Sequence, residues 1–324
     1  MSRICGRNDI PEREYEINVG NLRTAGNIMW SMRKKEGTAI LLALLAAVCY
    51  SINIPLSKIL LENVGECMMA GFLYLGAGLS IGLLSLFGEK KAKKRRKLTA
   101  SDMPYVSAMV ILDIAAPVLL MLGLRHSSAS LATLVNNFEI VATSLIASIF
   151  FHETISKRGW AAIALISAAA IVLSLSFEGV MEFSPSLLLV LLATICWGFE
   201  NNCTRMISGC DTYEIVFIKG IFSGLGAVIL ALLTGETFPL IKYILLVLAL
   251  GSVAYGLSIF FYIRAQSTIG ASRTSSFYAI NPFIGSLLSF FILRESVTVR
   301  YVVALVIMAG GTYLMARDTL SSSK

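Results

Sequence analysis

Four ionisable side chains lie inside stretches of this sequence that are otherwise apolar: Asp113, Glu139, Glu200 and Lys219. A charged side chain at the centre of a bilayer costs roughly 2.5–3.5 kcal/mol on insertion scales, so these residues are candidates for function. Glu139 and Glu200 are predicted to bind a polar substrate, because a lone buried carboxylate gains little structurally. A carboxyl group in apolar surroundings can also carry a proton, which makes Glu139, Glu200 and Asp113 candidates for proton coupling. Lys219 could pair with a carboxylate or extend towards the membrane interface.

Amide and aromatic side chains accompany the two glutamates. Asn136 and Asn137 directly precede the segment of Glu139, and Trp197 lies one helical turn before Glu200. Amides hydrogen-bond substrates but also bridge membrane helices, and both roles stay open. The predicted substrate-binding residues are Asn53, Asn136, Asn137, Glu139, Trp197, Glu200, Tyr278 and Asn281.

The surrounding sequence predicts a membrane protein. Of the 324 residues 56% are hydrophobic and 15% are charged, and the mean hydropathy is +0.76, whereas soluble domains carry roughly 25% charged residues. A helix needs about 20 apolar residues to cross a bilayer, and its backbone groups have to be hydrogen-bonded within the segment. Spans are predicted at 38–59, 68–87, 104–124, 129–150, 159–176, 186–206, 213–233, 240–262, 272–292 and 299–316. The predicted fold is therefore all-α, with about ten transmembrane helices.

Lysine and arginine predict the orientation. Most of the 27 fall in the polar tail 1–37 or in connections on the same side, including the run Lys90 to Lys97. This excess is typical of the cytoplasmic face, so both termini are predicted to be cytoplasmic, most simply at a bacterial inner membrane. The net charge of +7 is attributed to this bias and to contact with lipid headgroups rather than to nucleic acid. Translation could begin at Met1 or at Met32.

The chain repeats itself. An offset of 147 aligns Leu44 to Tyr50 with Leu191 to Trp197, and an offset of 142 aligns Glu153 to Ser156 with Glu295 to Thr298. Each unit holds five predicted spans, and an odd number places the second copy in the membrane upside down, as in many secondary transporters. The predicted segments are a cytoplasmic tail at 1–37, two inverted five-helix repeats at 38–176 and 186–316, and a cytoplasmic tail at 317–324.

The same offsets relate the candidate site residues. They pair Asn53 with Glu200, and Glu139 with Asn281. Each pair holds one carboxylate and one amide, so we expect a central cavity whose two related walls each offer both groups.

Several short motifs recur in order in both halves. They are Tyr50-Ser51-Ile52-Asn53 and Trp197-Gly198, Ala129-Ser130 and Ala271-Ser272, Asn281-Pro282, and the segments of Glu153 and Glu295. On these motifs the chain resembles the drug/metabolite transporter superfamily, specifically proteins with two EamA-type domains. The first half departs from the pattern, with Glu139-Ile140 where the second half has Asn281-Pro282. The resemblance implies ten helices, alternating access, and export or exchange of small metabolites.

The predicted function is therefore a secondary transporter or exporter of a small polar metabolite such as an amino acid or amine. Proton coupling and uncoupled exchange are both open. Three intramembrane carboxylates against one lysine favour a cationic or zwitterionic substrate. The expected partners are this substrate and the lipid bilayer, with no nucleic acid and no cofactor. A membrane-embedded enzyme and a channel are the alternatives, although the sequence holds neither a nucleotide-binding P-loop nor a recognisable catalytic set.

One motif superficially suggests hydrolysis. Gly78-Leu79-Ser80-Ile81-Gly82 matches G-x-S-x-G, but a catalytic serine needs a base, and His126 and His152 are predicted at opposite ends of the membrane. The glycines at 78, 82, 220 and 224 are predicted to pack helices closely instead. Glu153 and Glu295 lie at predicted helix ends, where capping is their expected role.

Overall fold

The structure is a computed structural model that describes residues 35–87, 96–152, 154–176, 182–269, 274 and 277–322. Most of the predicted tail 1–37, most of the basic run 90–97, Glu153 and Ala271-Ser272 lie outside these residues.

Long apolar helices dominate the described residues. In the first half they are α1 (Lys35–Leu60), α2 (Glu66–Phe87), α3 (Met103–Arg125), α4 (Ala129–Asn136), α5 (Phe138–Phe151) and α6 (Lys157–Ser174). In the second half they are α7 (Pro185–Ile207), α8 (Thr212–Leu233), α9 (Ile241–Ile269), α10 (Asn281–Leu293) and α11 (Val299–Ser322). Within the described ranges eight helical segments are long and apolar enough to cross a membrane, and α10 is a shorter apolar helix. The chain is an all-α, multi-pass membrane protein, as predicted.

Two small differences from the predicted spans concern helix ends. Helix α9 continues to Ile269 and α11 to Ser322, beyond the predicted limits of 262 and 316. Hydropathy marks where the chain leaves the apolar layer, whereas backbone hydrogen bonds continue a helix into the polar region. Where the predicted fifth span ends, Leu175–Ser176 (β1) instead pairs antiparallel with Glu182–Phe183 (β2).

Two equivalent spans are interrupted by turn residues, and α1 has a similar turn at Ile52. The fourth span breaks at Asn137, between α4 and α5, and the ninth has turn residues 279–280 immediately before α10 begins at Asn281. The offset of 142 places Asn137 on residue 279, so the two breaks are equivalent in the repeat. Broken helices expose backbone and polar side chains inside a bundle, which membrane proteins tolerate where the break lines a cavity.

Helices α2 and α8, the second span of each half, pack through glycines. A Cβ atom on Gly220 would collide with the backbone of Gly78, and one on Gly71 would lie 2.6 Å from Val228 Cγ2. At the other end of the contact, Gly82 faces Phe217. Residue numbers fall along α8 as they rise along α2, so these equivalent helices run antiparallel. The predicted close packing at Gly78 and Gly220 is confirmed.

Other equivalent spans meet in the same way. The Ser286 hydroxyl on α10 donates to the Ser130 carbonyl on α4. The next pair of equivalent spans is α6 and α11. Ser156, which lies just before α6, donates to Asp318 on α11 at 2.6 Å. Further along, Gly311 on α11 packs against Ile166 on α6. Matching spans of the two halves therefore contact each other, and α6 and α11, like α2 and α8, run antiparallel.

Candidate functional site

A cavity of about 210 Å³ lies where the two repeats meet. Its inner wall includes the break between α4 and α5 and the start of α10. Its lining extends to Arg205 and Gln266, which lie in the last turns of α7 and α9. The cavity therefore runs from the middle of the bundle towards the face at which these helices end. We call that face the mouth side.

Glu139 stands in this cavity directly after the helix break. Its Oε1 accepts a hydrogen bond from Asn201 Nδ2 on α7 at 2.7 Å, and the side chain is partly accessible. Asn202 fastens the same two helices by donating to the Thr143 carbonyl at 3.1 Å. Among the described residues no lysine or arginine forms an ion pair with Glu139. The carboxylate is thus held by one amide and is otherwise available to a ligand.

The other three intramembrane ionisable groups form one cluster. Lys219 Nζ on α8 lies 2.7 Å from Glu200 Oε1 on α7 and 3.1 Å from Asp113 Oδ2 on α3. Tyr74 donates to Asp113 Oδ1 at 2.7 Å, and Thr204 donates to Glu200. All three charged groups are buried, at 0% exposure for Asp113, 1% for Glu200 and 6% for Lys219. Mutual pairing compensates for the cost of removing these charges from water.

Tyrosine rings line another part of the cavity wall. Tyr74, Tyr255, Tyr50, Tyr278 and Tyr262 form a continuous row, with successive ring centroids 4.9, 5.6, 6.1 and 5.1 Å apart. These distances are in the usual range for aromatic contacts. The row comes from α1, α2, α9 and the segment before α10, so it links both repeats.

Three amide oxygens at the cavity have no hydrogen-bond partner among the described residues. They are Oδ1 of Asn136, Oδ1 of Asn137 and Oε1 of Gln266. The amide nitrogen of Asn137 donates to Thr312 at 2.9 Å. Buried polar atoms are normally paired, so unpaired acceptors around a cavity are suited to a polar ligand or to water.

The opposite face of the bundle is closed by polar contacts to helix ends. Lys58 Nζ on α1 donates to the carbonyls of Leu124, Arg125 and Ser127 at 2.7, 2.9 and 2.8 Å. Glu295 accepts from the backbone N–H groups of Ala129 and Ser130 at 2.7 and 2.9 Å. Each charge has the sign that the helix terminus favours.

Two further contacts strengthen the same face. Glu236 accepts hydrogen bonds from the backbone of Cys67 and Met68, at the start of α2. Arg125 pairs with Glu66 and donates to the Val64 carbonyl at 2.9 Å. We call this face, defined by the contacts of Lys58, Glu295, Glu236 and Arg125, the closed side.

A model of the EamA-like transporter family matches residues 37–175 and 184–317, which is most of the chain. The chain belongs to the EamA-like transporter family. This agrees with the resemblance found in the sequence, and makes the protein an integral membrane transporter.

Individual relatives are distant. An uncharacterized transporter of Methanothermobacter thermautotrophicus (strain ATCC 29096 / DSM 1053 / JCM 10044 / NBRC 100330 / Delta H) is 23% identical over 295 residues, 83% of each chain. A solved protein crystal structure superposes with a TM-score of 0.62 at 15% identity, covering 85% of this chain and 94% of the other. At that identity the likeness shows a common fold.

Most of the residues predicted to bind substrate in this EamA-like transporter line the cavity. They are Asn136, Asn137, Glu139, Trp197, Glu200, Tyr278 and Asn281. Asn53 does not belong to the lining. Its side chain is fully buried, donates to the Tyr255 hydroxyl at 3.4 Å and accepts from Ser57 at 3.1 Å. Asp113 likewise lies behind Lys219. Binding by the lining residues stays a prediction.

Sequence reasoning missed several groups in the site of this EamA-like transporter. Tyr74, Tyr255, Tyr262 and Gln266 line the cavity but were not singled out. Within an apolar helix a tyrosine is compatible with packing, lipid contact or ligand contact, so its type alone gave no signal. Asn201, adjacent to Glu200 in the sequence, was not among the predicted site residues, although it is the hydrogen-bond donor to Glu139.

Proposed function

We propose that this EamA-like transporter carries a small polar metabolite, such as an amino acid or amine, by alternating access through the central cavity. The supporting observation is the asymmetry of the bundle. The cavity extends to the mouth side, while Lys58 and Glu295 hold helix ends together on the closed side. A carrier needs one side sealed while the other is open.

The inverted repeat supplies a second state of similar energy. Equivalent helices pack against each other in opposite orientations, so the two halves can exchange their conformations. The interruptions of the two spans, at Asn137 and at residues 279–280, lie at the cavity, an arrangement found in many secondary transporters.

The repeat also indicates which contact would close the mouth side. The offset of 147 pairs Lys58 with Arg205, and the offset of 142 pairs Leu124 to Ser127, at the end of α3, with residues 266–269, at the end of α9. In the alternate state, Arg205 is expected to bind carbonyl groups at the end of α9, as Lys58 does at α3. Lys58 would then hold the closed side together in one state, and Arg205 would hold the mouth side together in the other.

The distribution of lysine and arginine supports a cytoplasmic position for the mouth side and for both termini, most simply at a bacterial inner membrane. The conformation would then be inward-facing. On this view the site can load a cytoplasmic substrate directly.

Glu139 is the preferred carboxylate for proton coupling. Glu200 and Asp113 both contact Lys219, whereas Glu139 is held by an amide and is partly accessible. Transport driven by an imposed pH gradient, and lost in Glu139→Gln, supports coupling. A rate that is independent of pH would exclude it.

Counterflow into proteoliposomes tests the proposed function. Purified protein is first screened by thermal stabilisation against amino acids, amines, nucleosides and sugar phosphates, since binding to the native state raises stability. Vesicles preloaded with each hit are then given the labelled compound. We expect saturable transient accumulation, reduced in Glu139→Gln but not in Glu62→Gln, an exposed control. Non-saturable flux would indicate a channel, and chemical conversion of the compound would indicate an enzyme.

A further inference from the structure

Five tyrosine rings form a row along the cavity. Hydrogen bonding to a small polar ligand does not by itself require so many aromatic side chains. All five rings line the cavity, and Tyr50, at the centre of the row, contacts both Tyr255 and Tyr278. Aromatic faces carry negative potential, and a cation within about 6 Å of a ring centroid is attracted to them. A cation in the cavity would lie beside the three partly accessible rings, Tyr50, Tyr262 and Tyr278, while Tyr74 and Tyr255 are 1% exposed.

The charge of the site has the matching sign. Lys219 is engaged by two buried carboxylates, Asp113 and Glu200. Glu139 is the carboxylate that reaches the cavity without an ion-pair partner among the described residues. Glu139 lines the same cavity as Tyr50, Tyr255 and Tyr278. A ligand in the cavity would therefore be close to both the tyrosine row and the Glu139 carboxylate.

The arrangement also limits the ligand. A cavity of about 210 Å³ is smaller than the roughly 300–1,000 Å³ typical of pockets for drug-sized molecules. A second cation at the mouth, Arg205, disfavours ligands with several positive charges. The unpaired amide oxygens of Asn136 and Gln266 can accept hydrogen bonds from a hydroxyl or N–H group.

We propose that the cavity binds a small organic ammonium ion carrying one positive charge, with Glu139 as its counter-ion and the tyrosine row around its alkyl groups. This inference rests on the proposed transport function and names its substrate class. A zwitterion would bring a carboxylate into the cavity with Glu139 and is expected to bind more weakly.

A matched pair of probes isolates the charge. Choline and 3,3-dimethylbutan-1-ol have nearly the same shape, but only choline is cationic. Titration calorimetry on the full-length protein in neutral detergent compares them, with methylammonium and tetramethylammonium as further cations and glycine as a zwitterion. We expect at least one of the three ammonium ions to bind, and choline to bind more tightly than its neutral analogue by at least about tenfold, the change that 1.4 kcal/mol produces.

Variants at Tyr50 then distinguish the contribution of the aromatic ring to affinity from that of the hydroxyl group. Tyr50→Phe keeps the aromatic face and should retain most of the affinity, whereas Tyr50→Leu should lose about tenfold. Glu139→Gln should lose at least as much, and Glu62→Gln should bind like the wild type. The comparison of choline with its neutral analogue uses the wild-type protein, so it does not depend on the folding of any variant.

The outcomes are distinguishable. Equal binding of the neutral analogue, failure of all three ammonium ions to bind, or preference for glycine would overturn the substrate class and leave the transporter proposal intact. Ammonium binding without counterflow would overturn the transport proposal and leave this site standing.

Discussion

Lys219 and Glu200 form a buried ion pair, with Nζ and Oε1 2.7 Å apart. The pair joins α8 to α7, and Asp113 extends it to α3 in the other repeat. Two of the three intramembrane carboxylates are thereby committed to one ammonium group. Glu139 is left as the carboxylate of the cavity lining that has no ion-pair partner among the described residues, and the charge of the site depends on it.

Replacing Lys219 with methionine should destabilise the protein strongly. The change leaves Asp113 and Glu200 as uncompensated buried carboxylates, and breaking a buried pair costs about 3–5 kcal/mol. Thermal unfolding in detergent measures the loss. The double variant Glu200→Gln/Lys219→Met should be closer to the wild type, because it leaves one uncompensated carboxylate, Asp113, instead of two. A double variant less stable than Lys219→Met alone would contradict this account.

The two glutamates should respond differently to amide substitution. Glu200→Gln removes a charge that pairs with Lys219, so we expect a lower unfolding temperature. Glu139→Gln keeps an oxygen that can accept from Asn201 and breaks no ion pair, so its unfolding temperature should stay near that of the wild type while ligand binding falls. Similar destabilisation by both substitutions would show that Glu139 has a structural role.

The contact between α2 and α8 should not tolerate a methyl group. In Gly220→Ala the added Cβ meets the backbone of Gly78, which cannot move aside as a flexible side chain can, so a loss of about 1–3 kcal/mol is expected. Gly310→Ala is the matched control, since a Cβ there meets nothing within 4 Å. That control should be neutral or gain up to about 1 kcal/mol from helix propensity. Equal melting temperatures for the two variants would refute the tight contact.

Much of this architecture follows from local sequence. Runs of apolar residues determine the spans, because a helix that crosses a bilayer needs both length and internal hydrogen bonding. The repeat offset relates Glu139 to Asn281, and both line the cavity. Such residues are predictable because the repeat fixes their depth and their relation to the pseudo-symmetry axis.

Contacts between helices could not be predicted in this way. The double pairing of Lys219 depends on the rotation of three helices about their axes, which no local pattern specifies. Asn53 has the depth that its repeat partner Glu200 has, but Tyr255 lies between it and the cavity. Capping by Glu295 was predicted and is confirmed, although the helix it caps, α4, lies in the other repeat.

Glu295→Gln should weaken the closed side. The two backbone N–H groups at the start of α4 lose a carboxylate, and caps of this kind contribute about 0.5–2 kcal/mol. Thermal unfolding should show a modest loss relative to Glu62→Gln. Hydrogen exchange gives a local readout, and faster exchange confined to the first turn of α4 is expected. Unchanged exchange at Ala129 and Ser130 would remove Glu295 from this role.

Lys58→Met should bias the transporter towards opening on the closed side, because three carbonyl groups at the end of α3 lose their donor. A single cysteine at Asn136, in a background without native cysteines, reports this through labelling by a membrane-impermeant thiol reagent. Labelling from the closed side should rise in Lys58→Met. Arg205→Met is the paired control and should leave it unchanged or lower it. If labelling from the closed side does not increase in Lys58→Met, the proposed role of Lys58 in holding that side together is contradicted.

The Tyr74–Asp113 hydrogen bond has a consequence for biogenesis. Helix α3 enters the membrane while Lys219 is still about 100 residues from being synthesised, a delay of roughly 5–20 s at typical translation rates of 5–20 residues/s. Throughout that interval Asp113 lacks its cation, but α2 has already been made and carries Tyr74. The α2–α3 hairpin can therefore shelter the carboxyl group until α8 arrives, so the order of synthesis matches the order in which the buried cluster can be completed.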